Sequence, residues 1–163
     1  MENNAVDNKQ DQKCDEWIVT NDGVMGGLSV GTAQLNNNVF IFSGNVSTEN
    51  NGGFTSAFKQ VSTLPAHAKS ITIRIMGDGN NYQLRVRSQV MGYNLAYKIG
   101  FDTVKGKIAE HTFKLEDFKA SFRGRLIENV PVLEASFISH VGFLIAAKQS
   151  QDFTLSVYSI EFF

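Results

Sequence analysis

The sequence predicts an all-β fold, an antiparallel sandwich or jelly roll with only a few short helical turns. Two observations carry this. Apolar and polar residues alternate with period 2 through most of the chain, and the runs are short and bounded by Gly, Asn and Asp. The chain also holds 13 phenylalanines and 14 glycines, which suits a core filled between two sheets and the turns that close them.

In chain order, Thr32–Leu35 and Val39–Phe42 flank Asn36-Asn37-Asn38, a hairpin whose turn residues tolerate positive φ. Ile71, Ile73 and Ile75 alternate with Thr72 and Arg74. After Gly77–Asn81, Tyr82, Leu84 and Val86 alternate with Gln83, Arg85 and Arg87. The spacing predicts a second hairpin about that turn, with Arg74, Arg85 and Arg87 sharing one polar face. Tyr93–Phe101 alternates again, leaving Asn94, Lys98 and Gly100 on its polar side. Val141–Ala147 reads as a strand buried on both faces. Phe153, Leu155 and Val157 slip in phase to Ile160 and Phe162, as a bulge would require. Leu115–Lys119 and Val132–Phe137 are long enough only for one or two helical turns.

Residues 1–15 are polar and acidic, and are expected to be a disordered tail ahead of a single domain over 16–163. They contain no signal-like apolar core and no Arg-rich presequence, so the expected location is cytoplasmic. The net charge of −1 argues against a broad nucleic-acid footprint. The longest apolar run, seven residues, is too short to span a bilayer as a helix. Cys14 is the single cysteine, so neither an internal disulfide nor a multi-cysteine zinc site can form.

The densest local signal is Trp17 followed by Ile18-Val19-Thr20-Asn21-Asp22-Gly23-Val24-Met25-Gly26-Gly27-Leu28-Ser29. Its glycine spacing fits neither a dinucleotide fingerprint nor a P-loop. It reads as a chain reversal that carries a strand between sheets, or as a loop that cradles a ligand. This segment resembles the opening motif of the complex I intermediate-associated protein 30 family. Four further motifs follow in order: Ser47–Phe54, Gly77-Asp78-Gly79 with Tyr82 and Arg85, Phe122-Arg123-Gly124-Arg125, and Gly142-Phe143 with Lys148-Gln149 and Phe153. The resemblance implies a galactose-binding-like β-sandwich. It also implies a non-catalytic role like that of the mitochondrial members, which act as assembly chaperones for NADH:ubiquinone oxidoreductase. In length the chain is similar to the stand-alone bacterial-type members. The resemblance carries over no catalytic residue.

The residues themselves agree with a binding role. His67, His111 and His140 are scattered, and no nucleophile elbow or metal-ligand spacing occurs. No cofactor is expected; a structural calcium held by Asp22, Glu49, Asp78 and Asp102 is the alternative. All five arginines lie between Arg74 and Arg125. If Arg74, Arg85, Arg123 and Arg125 converge, Asp22, Glu49 and Asp78 either neutralise them internally or leave a groove for an anionic ligand. Tyr82, Tyr93 and Tyr97 would line that groove or sit in the core. The candidate partner-binding set is Asn21, Asp22, Glu49, Asn50, Arg74, Asp78, Arg85, Arg123 and Arg125. The expected partner is a protein, with a carbohydrate or other small ligand as the alternative.

Overall fold

A computed structural model describes residues 17–21, 28–49, 53–62, 64–90, 93–122, 125–126, 131–146 and 149–163. The tail, Asp22, Asn50 and Arg123 lie outside the described residues, as does the side chain of Arg125. Twelve strands are described: β1 (Trp17–Asn21), β2 (Val30–Asn36), β3 (Val39–Val46), β4 (Phe54–Gln60), β5 (Ser70–Met76), β6 (Asn81–Val90), β7 (Tyr93–Asp102), β8 (Ile108–Lys114), β9 (Lys119–Phe122), β10 (Arg125–Leu126), β11 (Ile138–Ala146) and β12 (Gln151–Phe162). They form two antiparallel sheets, in the orders β1-β4-β11-β6-β7-β9-β10 and β2-β3-β12-β5-β8. The helical signals reduce to two short 3-10 turns, Leu115–Asp117 and Ala135–Phe137.

The alternation sets the layers. Ile71, Ile73 and Ile75 of β5 face Leu84, Val86 and Phe143 of the other sheet across one core, all of them buried. Phe42 meets Phe153 edge-on at 4.8 Å between ring centroids, and Phe101 meets Phe143 at 6.2 Å. Each buried Phe of this kind contributes about 1.5–3 kcal/mol. Tyr82 and Tyr97 belong to the same core, at 2% exposure each. Their hydroxyls reach Asp78 and the Pro131 carbonyl.

The β2–β3 hairpin forms as its sequence predicts. Asn36 pairs with Val39, and both turn residues, Asn37 and Asn38, have positive φ (52° and 66°). The phase slip in β12 is a bulge between Val157 and Ser159. β11 is a central strand, with Val141, Gly142, Phe143 and Ile145 buried and Ala146 exposed.

The second predicted hairpin does not form. β5 pairs with β12 and β8, while β6 pairs with β11 and β7 in the other sheet, so Gly77–Asn80 is a crossover. Period 2 requires one buried face per strand, and a crossover satisfies it as well as a hairpin does. What anchors the crossover is specific. Thr103 packs against Gly77 so closely that a Cβ there would meet its side chain at 2.2–2.4 Å. The Asp78 carboxylate accepts from Asn80 N–H (3.1 Å), Asn80 Nδ2 (2.8 Å), the Tyr82 hydroxyl (3.0 Å) and Thr154 N–H (2.7 Å). It thereby ties the crossover to β6 and β12. Burial, then the adjacent Asp78 charge, raises the Tyr82 phenol far above its ordinary range, so it stays a donor to Asp78.

Gly142 gives the sharpest packing test. A Cβ there would lie 2.2 Å from the Ala57 carbonyl oxygen and under 3 Å from the Phe58 ring. Gly142→Ala should therefore cost about 1–3 kcal/mol through forced backbone and ring displacement. Urea denaturation of the variant beside the parent measures it, and an unchanged midpoint would contradict the packing described.

Candidate binding face

Directly opposed residues in antiparallel strands project from the same face. Following the register across the seven-stranded sheet, Ile18 pairs with Phe58, Phe58 with Gly142, Gly142 with Arg85, Arg85 with Lys98, and Lys98 with Lys119. Their neighbours along the strands, among them Ala57, Val141, Phe143, Leu84, Val86, Tyr97 and Ala120, are buried in the core. The row therefore crosses the outer surface of the sheet, aliphatic and aromatic at one end and cationic at the other. Adjacent strands lie about 4.8 Å apart, so three cations stand side by side.

The rows on either side differ. One runs Gln60, His140, Arg87, Ala96, Ser121. The other runs Thr20, Ser56, Leu144, Gln83, Gly100. The Arg87 guanidinium lies 4.0 Å from the centroid of the Phe58 ring, and Phe58 in turn lies over Gly142. Arg85 donates from Nη1 to Gln83 Oε1 at 2.9 Å, while its Nε is buried with no hydrogen-bond partner. Desolvation lowers the pKa of both arginines, and repulsion from Arg87 adds to the effect on Arg85. Desolvation, then Arg87, also lowers the pKa of His140, whose Nδ1 lies 2.9 Å from Ser139 Oγ.

Acids are scarce on this sheet. Its strand residues include Lys59, Arg85, Arg87, Lys98, Lys119 and Arg125 against one acid, Asp102. Asp102 stands four residues along β7 from Lys98, about 13 Å away. The strands of the five-stranded sheet hold Arg74 and Lys114 against Glu110, Asp152 and Glu161. Positive charge is thus concentrated on one layer of the sandwich.

The expected arginine cluster is not assembled as predicted. Arg74 is exposed on the outer face of the five-stranded sheet, opposite Glu110 in register, with the whole core between it and Arg85. The reason is the crossover at 77–80, which sends β5 and β6 to different layers. Asp78 is engaged by neutral donors and anchors the crossover. Asn21 Oδ1 accepts from the Gly31 N–H at 3.0 Å and from the Thr55 hydroxyl, pinning β1 to β2 and β4. Glu49 is exposed, its backbone N–H bound to Ser47 Oγ at 3.2 Å. Of the expected set, Arg85 is the described member on the cationic face. Lys98, Lys119, His140, Phe58 and Gly142 were not in the expected binding set. Alternation does put Lys98 and Lys119 in the polar phase of their strands, but the row exists only through cross-strand register.

The histidines stand in separate elements. His111 packs against Phe101 and Phe113 with Nε2 buried and unpartnered, and His67 is exposed. Among the described residues, no three His, Cys, Asp or Glu side chains gather as metal ligands. No helix among them is long and apolar enough to cross a membrane.

A model of the family named complex I intermediate-associated protein 30 matches residues 6–157. The chain belongs to this family. A search of the curated proteins returns no match. Among solved structures, the fold is similar to the family 11 carbohydrate-binding module of the cellulosomal cellulase Lic26A-Cel5E of Clostridium thermocellum. The TM-score is 0.64 at 10% identity, covering 87% of this chain and 86% of that one. A structure of the family 11 module from that organism in complex with a β-1,3-1,4-mixed-linked tetrasaccharide aligns equally well, covering 87% and 88%. A structure described as "CBM4 structure and function" aligns at 0.52 and 9% identity, covering 90% and 86%. At these identities the likeness shows the shared β-sandwich fold of this family member.

Two measurements test the electrostatics of the face. Like charges directly opposed destabilise a sheet by about 0.2–1 kcal/mol. Lys98→Gln should raise the unfolding midpoint at low ionic strength, and added salt should stabilise the parent more than the variant. His140 should titrate below its ordinary value of about 6.5, and Arg87→Gln should move it upward, as read by NMR. Its folded pKa is depressed. The neutral ring's contribution to stability is therefore full above about pH 6.5 and is lost as pH falls through the folded value. His140→Gln should flatten that part of the stability profile.

Proposed function

We propose that this family member is a non-catalytic binding protein of the assembly-factor type, which holds a protein partner on the outer face of its seven-stranded sheet. The supporting observation is the row Arg85–Lys98–Lys119. Three cations in direct register destabilise the free protein, and the strand residues around them supply no neighbouring carboxylate. A partner presenting acidic side chains removes that repulsion on docking, so complementary charge supplies both attraction and orientation. The aliphatic end of the row, with Ile18 at 65% exposure, offers apolar contact beside it. The family's name supports an assembly role on respiratory complex I intermediates.

A carbohydrate on the same face is the second reading, favoured by the fold shared with a module solved with a tetrasaccharide. Against it stands the state of the aromatic rings. Among the described side chains of this face these are Phe54 and His140, both half-buried, and Phe58, which is 8% exposed beneath Arg87. A neutral sugar finds little open ring to stack on.

Charge reversal separates the readings. In affinity capture from the native host, Lys98→Glu with Lys119→Glu should abolish capture of the partner, while Arg74→Glu on the other sheet should leave it intact. Equal capture by all three proteins would refute the proposed face. Binding to a panel of neutral glycans, retained after charge reversal, would support the carbohydrate reading instead.

A further inference from the structure

A second site lies between the sheets, away from the cationic outer face and independent of its reading. Among the described residues, one end of the sandwich is open and holds a cavity of about 530 Å³, within the range of small-molecule pockets. Leu35, Val61, Leu64, Ile160 and Phe162 line it and are only half-buried, although all pack against the core. A closed sandwich end would bury such side chains fully. The β12 bulge at Tyr158 lies in the same wall. The floor is a flat aromatic pair, Trp17 stacked on Phe40 at 3.7 Å between centroids and 5° between planes.

The single charged side chain lining this cavity among the described residues is Lys59. Its Nζ stands 5.9 Å from the Trp17 ring centroid, and no Asp or Glu among those residues lines the space. Lys59 is an inward member of β4, paired with Trp17 on one side and Val141 on the other. An ammonium group at an aliphatic cavity matches an anion with an apolar body. One face of Trp17 is already covered by Phe40, and most of the remaining wall is aliphatic, which suits an alkyl chain better than a second aromatic ring. We propose that the open end of the sandwich binds a medium-chain alkyl carboxylate, its head group on Lys59 and its chain between the sheets.

Trp17 is the one tryptophan of the chain, so its emission reports on this cavity alone. Decanoate, kept below its micellar concentration, should change Trp17 emission saturably, with calorimetry giving the affinity. Lys59→Gln removes the ammonium partner of the carboxylate and should weaken decanoate at least about fivefold; Lys59→Arg should restore it to within about twofold. Decanol, the uncharged analogue, should bind the parent and both variants alike. Val61→Phe, which adds bulk to the cavity wall while keeping the Lys59 ammonium, should weaken both ligands. Decanoate binding unchanged by Lys59→Gln would overturn the head-group assignment. No saturable binding of either ligand to the full chain, or binding unaffected by Val61→Phe, would overturn the site.

Discussion

Two sheets closing on one core impose the constraint from which the other features follow. Each strand must turn its Ile, Leu, Val or Phe positions inward, so every intervening residue is committed to an outer surface. Gln83, Arg85 and Arg87 reach the solvent side of β6 because Tyr82, Leu84 and Val86 are taken by the core. The pairing of β6 with β7 and of β7 with β9 then stacks Arg85, Lys98 and Lys119 in one line. The cationic row is thus placed by core register.

The packing of that face is equally tied to the core. Gly142 lets the Phe58 ring lie across β11, and Phe58 gives Arg87 a surface to stack on. Arg87 in turn adds to the desolvation that depresses His140 and to the desolvation that lowers the pKa of Arg85. A change at Gly142 would therefore reach the charged rows through one aromatic ring. The open end of the sandwich behaves differently. There the β12 bulge and half-buried aliphatic side chains line a cavity, and Lys59 is the only charge beside it among the described residues.

The carbohydrate-binding modules that share the fold differ from this chain at about nine residues in ten. The same layers can carry unrelated outer surfaces, because the core constrains only alternate positions. On this chain the outer surface of the larger sheet is charged, with its described aromatic rings half-buried or covered, and this separates its proposed partner chemistry from a neutral sugar.

Local residues alone determined a good deal. The β2–β3 turn follows from three asparagines, two of which take positive φ; the β12 bulge follows from the shift in phase after Val157; and the core positions follow from alternation. Five ordered motifs placed the chain in its family, which the match over residues 6–157 shows. Whether β5 and β6 form a hairpin or cross between sheets was not legible, since both choices bury the same isoleucines. Contacts distant in sequence, Thr103 on Gly77 and Thr154 on Asp78, decided for the crossover and parted Arg74 from Arg85. The cationic row was illegible for the same reason. Lys98 and Lys119 become neighbours of Arg85 only through hydrogen-bonded register between strands, and register depends on how the whole inner surface packs.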